Sequence, residues 1–203
     1  RSAGHSFGDW NDPSYNEYWG PGPGPSIGVA QGNYGGVGMD AVLGTAAGHA
    51  TAWLGSSPVD MHPAGASSSS AASANDGQVV GSAVIGGIAS AMVWGGIGSM
   101  SPTSLGEGAA LDVHQGVQVG VSQNHAMLWT GNIQSRVDLH DVLPDHYSGS
   151  AAYGVWVDSV PGRIVVAGTA FNTLIGKTEA MAWVYEPSVP CDADFNHDGG
   201  IDG

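Results

Sequence analysis

Basic side chains are almost missing from this chain. It has 4 Lys and Arg residues against 18 Asp and Glu residues, and none of the basic ones lies between Arg1 and Arg136. Nucleic-acid and anionic membrane surfaces are bound by clustered cations that neutralise phosphates. The composition therefore excludes nucleic acid as a partner. The net charge of −14 fits solubility, and it also fits calcium-dependent or cationic partners.

Cysteine and charged residues of any sign are also scarce. Cys191 is the single cysteine of the sequence, which excludes an internal disulfide framework and leaves either a free thiol or a bond between molecules. Residues 79–98 carry no charge and reach the length of a membrane helix. They contain six glycines, however, and Gly86-Gly87 divides them into two short β-like runs. We interpret them as a buried hairpin and expect no membrane-spanning segment.

Glycine is abundant, at 34 of 203 residues. Each glycine inside a helix costs about 1 kcal/mol relative to alanine, so few windows of this chain favour a helix. Short strands joined by tight turns tolerate such a composition better. The sequence therefore predicts an all-β domain.

A short phrase recurs four times. Its copies are His49-Ala-Thr-Ala-Trp53, Ser90-Ala-Met-Val-Trp94, His125-Ala-Met-Leu-Trp129 and Glu179-Ala-Met-Ala-Trp183. Each copy follows a β-branched stretch that contains glycine, which predicts two adjacent antiparallel strands. With a degenerate copy ending at Trp10, the tryptophans are 43, 41, 35 and 54 residues apart, and periods near 40 indicate a repeat architecture. We expect small antiparallel sheets in a β-propeller-like arrangement of four to five blades, with the four repeat tryptophans in the core.

Segments outside the strand pattern divide the chain. Residues 1–187 are predicted to form the repeat domain, in which residues 11–26 are a Pro/Gly-rich arm. Residues 65–73 are of low complexity and are predicted to be a loop tip. Residues 188–203 are predicted to be a linker followed by a separate motif.

Three phrases carry a resemblance to a known family. They are Gly-Gln-Val-Val-Gly-Ser-Ala (77–83), His-Ala-Met-Leu-Trp-Thr-Gly (125–131) and Val-Asp-Leu-His (137–140). They resemble the bacterial extracellular HAF-repeat family over about residues 1–186. The third residue of the phrase here is Thr or Met instead of Phe, and Ser90 and Glu179 replace the His in two copies. The resemblance implies an exported protein with a β-propeller-like fold and transfers no catalytic residues.

The C-terminal residues match the first positions of a calcium loop. Candidate ligands at loop positions 1, 3, 5, 7 and 9 are Asp194, Asn196, Asp198, Gly200 and Asp202. The motif resembles half of a dockerin-type module. The sequence stops at position 10, before the carboxylate of position 12, so we expect calcium to bind weakly or not at all.

The histidines occupy repeated positions. His49 and His125 open two copies of the phrase, and His62 and His140 end two copies of a Val-Asp-aliphatic-His phrase. Repetition at equivalent positions favours a structural role, such as an imidazole bonded to a neighbouring turn. A zinc site needs three or four converging ligands, and the sequence shows none at metal-ligand spacing.

Three functions fit these observations. The first is a non-catalytic, secreted or cell-surface structural module that associates with copies of itself into assemblies or filaments. The alternative is a glycan-binding module, and Trp10, Trp19 and Trp156 are the candidate residues for exposed contacts in both. The second alternative is a secreted hydrolase. The sequence has no Gly-x-Ser-x-Gly elbow and does not place Glu107 or Glu179 in a carboxylate pair.

Overall fold

A computed structural model describes residues 26–34, 39–54, 57–158 and 162–186. This part of the chain is all-β, as predicted, and has no α-helix. Its strands are β1 (Ser26–Tyr34), β2 (Met39–Ala46), β3 (His49–Leu54), β4 (Ser57–Asp60), β5 (Ala66–Asn75), β6 (Gln78–Ile85), β7 (Ile88–Trp94), β8 (Thr103–Glu107), β9 (Ala109–His114), β10 (Val117–Ser122), β11 (His125–Trp129), β12 (Val137–Asp138), β13 (Tyr147–Val157), β14 (Ile164–Asn172) and β15 (Lys177–Tyr185). Single 3-10 turns cover Ile133–Ser135 and His140–Val142.

Consecutive strands pair antiparallel into four small sheets. The first sheet is β1–β4, the second β5–β8, the third β9–β12 and the fourth β13–β15. Every sheet is therefore a meander built from one continuous stretch of sequence. The described residues form no closed barrel or closed propeller ring.

The two strands of the repeat are neighbours in all four sheets, as the sequence predicts. The repeat glycine always lies opposite the residue that stands two before the tryptophan. These pairs are Gly44 with Thr51, Gly81 with Met92, Gly120 with Met127, and Gly168 with Met181. The phrase in the sequence thus corresponds to one fixed register between two strands.

Tight turns join the strands of most hairpins. Asp76 and Gly77 connect β5 to β6 with φ values of 47° and 78°, a turn that the Asn-Asp-Gly sequence predicts. Gly86 and Gly87 connect β6 to β7 in the same way, so the uncharged stretch 79–98 contains a hairpin. No helix among the described residues is long and apolar enough to cross a membrane.

A β-bulge faces the repeat glycine. In the third sheet, the pairing of β9 with β10 shifts register between Val119 and Gly120. A Cβ atom added to Gly120 would lie 2.0 Å from the carbonyl oxygen of Ala109. Gly81 and Gly168 meet the backbone of their first strands at 2.0 and 2.1 Å. The close approach of two backbones explains why this position is glycine.

Apolar cores lie between consecutive sheets. Each core combines the residue before the repeat glycine of one sheet with the repeat tryptophan of the next. The three pairs are Leu43 with Trp94, Val80 with Trp129, and Val119 with Trp183. Trp53 is also buried, so the prediction that the four repeat tryptophans belong to the core is confirmed.

One carboxylate connects three sheets. Asp112 lies on β9, and its Oδ1 accepts a hydrogen bond of 2.7 Å from the hydroxyl of Ser73 on β5. Its Oδ2 accepts a bond of 2.9 Å from the backbone N–H of Val155 on β13. The second and fourth sheets are thus both attached to the third by the same side chain.

The prediction of a loop tip at residues 65–73 is wrong. Most of this stretch belongs to β5, which pairs with β6 along its length. Ser69 and Ala71 point into the protein and are buried. The Ser69 hydroxyl accepts a hydrogen bond of 2.8 Å from the Ala50 backbone N–H, so a polar side chain is tolerated at a core position.

Candidate functional site

The fourth sheet exposes a surface that the other sheets bury. Two repeat positions face the following sheet: the residue before the glycine, and the alanine that begins Ala-x-x-Trp. In the first three sheets these are Leu43 and Ala50, Val80 and Ala91, and Val119 and Ala126, all 0% exposed. In the fourth sheet they are Ala167 and Ala180, and both are exposed. No described element covers this side of the fourth sheet.

This surface consists of rows across β13, β14 and β15. One row is Trp156, Val165 and Val184, the next Gly154, Ala167 and Ala182, the third Ala151, Thr169 and Ala180, and the last Phe171 with Thr178. We call these residues the fourth-sheet face. None of them is charged. Trp156, Val184 and Phe171 are 57%, 54% and 41% exposed, so large apolar side chains lie at both ends of a centre made of alanines.

Trp156 is exposed but held in place. Its ring stacks on the ring of His114, with centroids 4.3 Å apart, and its Nε1 donates to a carboxylate oxygen of Asp158 at 3.0 Å. The His114 Nδ1 accepts from the Val157 backbone N–H at 3.0 Å, which fixes the supporting ring as well. An aromatic ring that is both exposed and oriented loses little freedom on binding.

Histidine clusters join consecutive sheets at two places. In the first cluster, His49 Nδ1 lies 2.9 Å from Asp60 Oδ2, and its ring stacks on His62 at 3.8 Å. Asp60 Oδ1 accepts from the His62 backbone N–H at 2.8 Å, and His62 Nδ1 lies 2.8 Å from the Ser69 hydroxyl. Because Ser69 belongs to β5, the cluster connects the first sheet to the second.

The second cluster repeats this arrangement between the third and fourth sheets. His125 Nδ1 lies 2.8 Å from Asp138 Oδ2, and its ring stacks on His140 at 4.1 Å. The His140 backbone N–H donates to Asp138 Oδ1, and His140 Nδ1 lies 2.9 Å from the Ser150 hydroxyl on β13. These contacts agree with the interpretation of the repeated histidines as parts of the framework.

The junction between the second and third sheets has no such cluster. Ser90, Gly106 and Gly108 occupy the positions of His49, His62 and Ser69, as the strand pairings show. The Gly108 N–H donates to the Ala89 carbonyl at 2.9 Å, as the N–H groups of Ser69 and Ser150 donate to the carbonyls of Gly48 and Asn124 at the other two junctions. The described residues place no imidazole beside this bond. At this junction the indole N–H of Trp129 is buried and has no hydrogen-bond partner among the described residues, whereas those of Trp94 and Trp183 donate to the carbonyls of Met61 and Leu139.

Two carboxylates have lowered pKa values. Partial burial would by itself raise the pKa of Asp60, but hydrogen bonds from the His49 ring and the His62 backbone N–H hold it below its ordinary value. The hydrogen bonds that Asn172 and Tyr147 donate lower the pKa of Glu179. The Glu179 carboxylate in turn raises the pKa of the Tyr147 hydroxyl. Glu179 is therefore engaged within its own sheet.

Three potential metal ligands converge beside the second histidine cluster. Ligand atoms of His125, Asp138 and Asp141 all lie within 4.8 Å of one another. This corrects the expectation that the histidines take part in no group of converging metal ligands. The ligands come from separate elements, which spacing along one strand cannot reveal. The sequence signal that could have found this group is Asp141, which directly follows the Val-Asp-Leu-His phrase. In the first copy of the phrase, Pro63 follows His62.

A shallow cleft opens at the junction without histidines. Its walls include Ser82, Glu107, Ser122 and Asn124, together with Gln123. The Gln123 amide donates to the Glu107 carboxylate at 3.3 Å. Among the described residues of these walls Glu107 is the single carboxylate, so they do not provide the carboxylate pair that a glycosidase requires.

Of the residues predicted to make exposed contacts or to bind calcium, Trp156 lies in the described part of the chain. Trp10, Trp19, Cys191 and the calcium-loop residues Asp194, Asn196, Asp198, Gly200 and Asp202 lie outside it. Calcium binding, the arm and the separate C-terminal segment therefore stay predictions, and so does the resemblance to the HAF-repeat family. No protein-family model, curated protein or solved structure matches this chain.

Proposed function

We propose that this chain is a non-catalytic structural module, secreted or displayed at the cell surface, that associates with other copies of itself through the fourth-sheet face. The observation that carries this proposal is the exposure of Ala167 and Ala180 at repeat positions that are fully buried in the other sheets. Contiguous apolar surface on a soluble protein commonly marks an interaction site. The secreted setting rests on the family resemblance.

A second copy of this chain is the partner that fits best. In three places the equivalent surface packs against the tryptophan-bearing side of the next sheet, so this surface is suited to contact with an apolar sheet. At the other end of the series, the side of the first sheet that is turned away from the second sheet is covered, since Thr51 and Trp53 are only 3% and 5% exposed. We therefore propose that two fourth-sheet faces pack on each other about a twofold axis.

The size of the face sets the expected affinity. It spans three strands about 4.8 Å apart and about nine residues at ~3.4 Å each, or on the order of 400 Å². A stable interface buries roughly 800 Å² per partner. The contact should therefore be weak, with a dissociation constant in the micromolar range or above.

A twofold contact by itself produces a dimer. Growth into a filament requires a second contact elsewhere on the molecule. Trp10, which directly precedes the Pro/Gly-rich arm, and Trp19, which lies within it, are the sequence-based candidates for that contact. Loss of the fourth-sheet contact would then shorten assemblies, and loss of the arm would leave dimers.

Sedimentation velocity between about 10 and 500 µM tests the fourth-sheet contact. We expect Val184→Glu to shift the protein toward monomer, because a charge buried in an apolar contact is not compensated. Ile88→Glu is the matched control, since Ile88 is exposed to a similar extent, 56% against 54%, but lies in the second sheet. A wild-type protein that stays monomeric throughout, or two variants that behave alike, would contradict the proposal.

We also propose that the four sheets are arranged like propeller blades. Each is a meander, and the first strands of consecutive sheets contact one another, β1 with β5, β5 with β9 and β9 with β13. In a propeller the corresponding strands lie nearest the central axis. An experimental structure of the full chain would decide between an open series and a closed ring.

Glycan binding is the second candidate, and the oriented ring of Trp156 favours it. Tyr153, which is also 57% exposed, lies three residues away on β13. Exposed aromatic faces stack on sugar rings. A glycan array should then show signals that Trp156→Ala removes and that Val184→Glu, at the far edge of the face, retains. An array with no signal above background for the wild-type protein would eliminate this function.

A further inference from the structure

The side chains of His125, Asp138 and Asp141 form a compact group at the outer part of the third sheet. His125 begins β11, Asp138 ends β12, and Asp141 lies in the 3-10 turn His140–Val142. One nitrogen and two carboxylate oxygens lie within 4.8 Å of one another. His125 and Asp138 are half-buried and Asp141 is exposed, so the group is open to solvent on one side.

Neighbouring contacts already orient two of these side chains. The His140 backbone N–H bonds Asp138 Oδ1 at 2.9 Å, which directs Oδ2 toward His125. The His140 ring stacks on the His125 ring, and the Ser150 hydroxyl holds the His140 ring by a 2.9 Å contact. Hydrogen bonds that fix metal-binding side chains in this way commonly raise metal affinity 10–100-fold.

The first histidine cluster separates the structural role from a metal-binding role. His49 and Asp60 reproduce the His125–Asp138 pair, with nearly the same distance, and connect sheets in the same manner. The position of Asp141 is Pro63 there, so a third ligand is missing. A structural role accounts for the His–Asp pair in both clusters. It does not account for Asp141, a second carboxylate that lies beside the pair only in the second cluster. Two carboxylates this close repel each other unless a cation lies between them.

We propose that His125, Asp138 and Asp141 bind a divalent transition-metal ion of the zinc type, with water completing the coordination. One imidazole nitrogen and two carboxylate oxygens suit Zn²⁺, Co²⁺, Ni²⁺ or Cu²⁺, whereas Ca²⁺ takes six to eight oxygen ligands. Coordination through Nδ1 requires the neutral His125 ring to carry its N–H on Nε2, so a ring in the Nδ1–H tautomer gives that proton to solvent and takes one up at Nε2, with no net proton released. The net charge of −14 attracts the cation at long range.

The bond lengths are compatible with this ion. Zinc lies about 2.0–2.2 Å from imidazole nitrogen and carboxylate oxygen, so its ligand atoms are roughly 3–3.5 Å apart. His125 Nδ1 and Asp138 Oδ2 are 2.8 Å apart and need to separate only slightly. Asp141, being exposed, can close the remaining distance by side-chain rotation. The site does not depend on self-association, because none of its residues belongs to the fourth-sheet face.

Titration of tag-free, metal-stripped protein with Co²⁺ and Zn²⁺ chloride tests the site. Co²⁺ should give visible d–d absorption that saturates at one ion per chain and is displaced by Zn²⁺. Asp141→Asn should weaken Zn²⁺ binding by more than about 100-fold, because removal of a ligand costs more than loss of an orienting hydrogen bond. Asp60→Asn, in the matched cluster, should leave binding unchanged.

Three results would overturn the proposal. They are no Zn²⁺ binding up to 1 mM, binding that Asp141→Asn leaves intact, and equal loss in both variants. Circular dichroism of Asp141→Asn checks that the fold is retained. Asp141 is exposed and lies outside the strands, so its replacement should not unfold the protein. A folded Asp141→Asn variant that still binds Zn²⁺ therefore counts against the site.

Discussion

Replacing Gly120 by alanine tests the close backbone approach that Gly81, Gly120 and Gly168 share. The new Cβ atom would lie 2.0 Å from the carbonyl oxygen of Ala109. Ordinary carbon–oxygen contacts are about 3.3 Å or longer, so the strands must separate by roughly 1.3 Å. The obstacle is backbone rather than a side chain, and it cannot rotate away.

The expected cost follows from two opposing effects. Overpacking a well-packed interior costs typically about 1–3 kcal/mol, and the rigid obstacle places Gly120→Ala near the upper end. Restricting the unfolded chain returns about 0.4–1 kcal/mol. We therefore expect a net loss of about 2 kcal/mol, which corresponds to a fall in Tm of roughly 4–8 °C for a domain of this size.

Urea and thermal unfolding followed by circular dichroism measure this loss. Gly95→Ala is the matched control, because a Cβ atom there meets nothing within 4 Å and its φ is not positive. The control should stay within about 0.5 kcal/mol of wild type. If Gly120→Ala is equally neutral, the argument from close approach is wrong, and the repeat glycine needs another explanation.

Other predictions concern the tryptophans and the first histidine cluster. Trp94→Phe should destabilise the protein by about 1–2 kcal/mol more than Trp129→Phe in urea unfolding, because it leaves the Met61 carbonyl unpaired, whereas Trp129→Phe removes an unpaired N–H. The folded-state pKa of Asp60 is lowered, so its contribution to stability is present above the unfolded value near 3.8 and is lost as pH falls through the folded value. Wild type should therefore lose stability relative to Asp60→Asn between pH 6 and pH 2, by less than about 1 kcal/mol because the carboxylate is 55% exposed.

The repeat phrase was sufficient to predict the strand pairing. A glycine and a tryptophan at constant spacing identify two neighbouring strands, because turn geometry links sequence distance to register. The burial of Trp94 and Trp129 follows from the same logic, since repeated apolar positions face repeated neighbours. Local sequence thus contains what is needed to predict the two repeat strands of each sheet.

Local sequence patterns could not predict the contacts between sheets. The serines of β5 suggested a loop because serine favours turns, yet Ser69 is stabilised by Ala50, which lies on the preceding sheet, and by His62, which lies in the connection between the two sheets. The proposed metal site depends on where the turn after β12 places Asp141 relative to His125. The fourth-sheet face is exposed because no further sheet packs on that side among the described residues. The repeat phrase alone does not show which sheet lacks a neighbour.

The two hydrogen bonds that the Asp112 carboxylate accepts affect how the protein unfolds. In an array whose units contact only their neighbours, stability is a sum of local terms, and end units detach one at a time. Asp112 accepts from Ser73 and from Val155, on two sheets that flank its own. Detachment of the fourth sheet leaves half of this carboxylate without its partner and loosens its orientation toward the second. Unfolding of the fourth sheet thereby weakens a contact of the second sheet. Unfolding is then cooperative over three sheets, a longer range than the cores between neighbouring sheets alone provide.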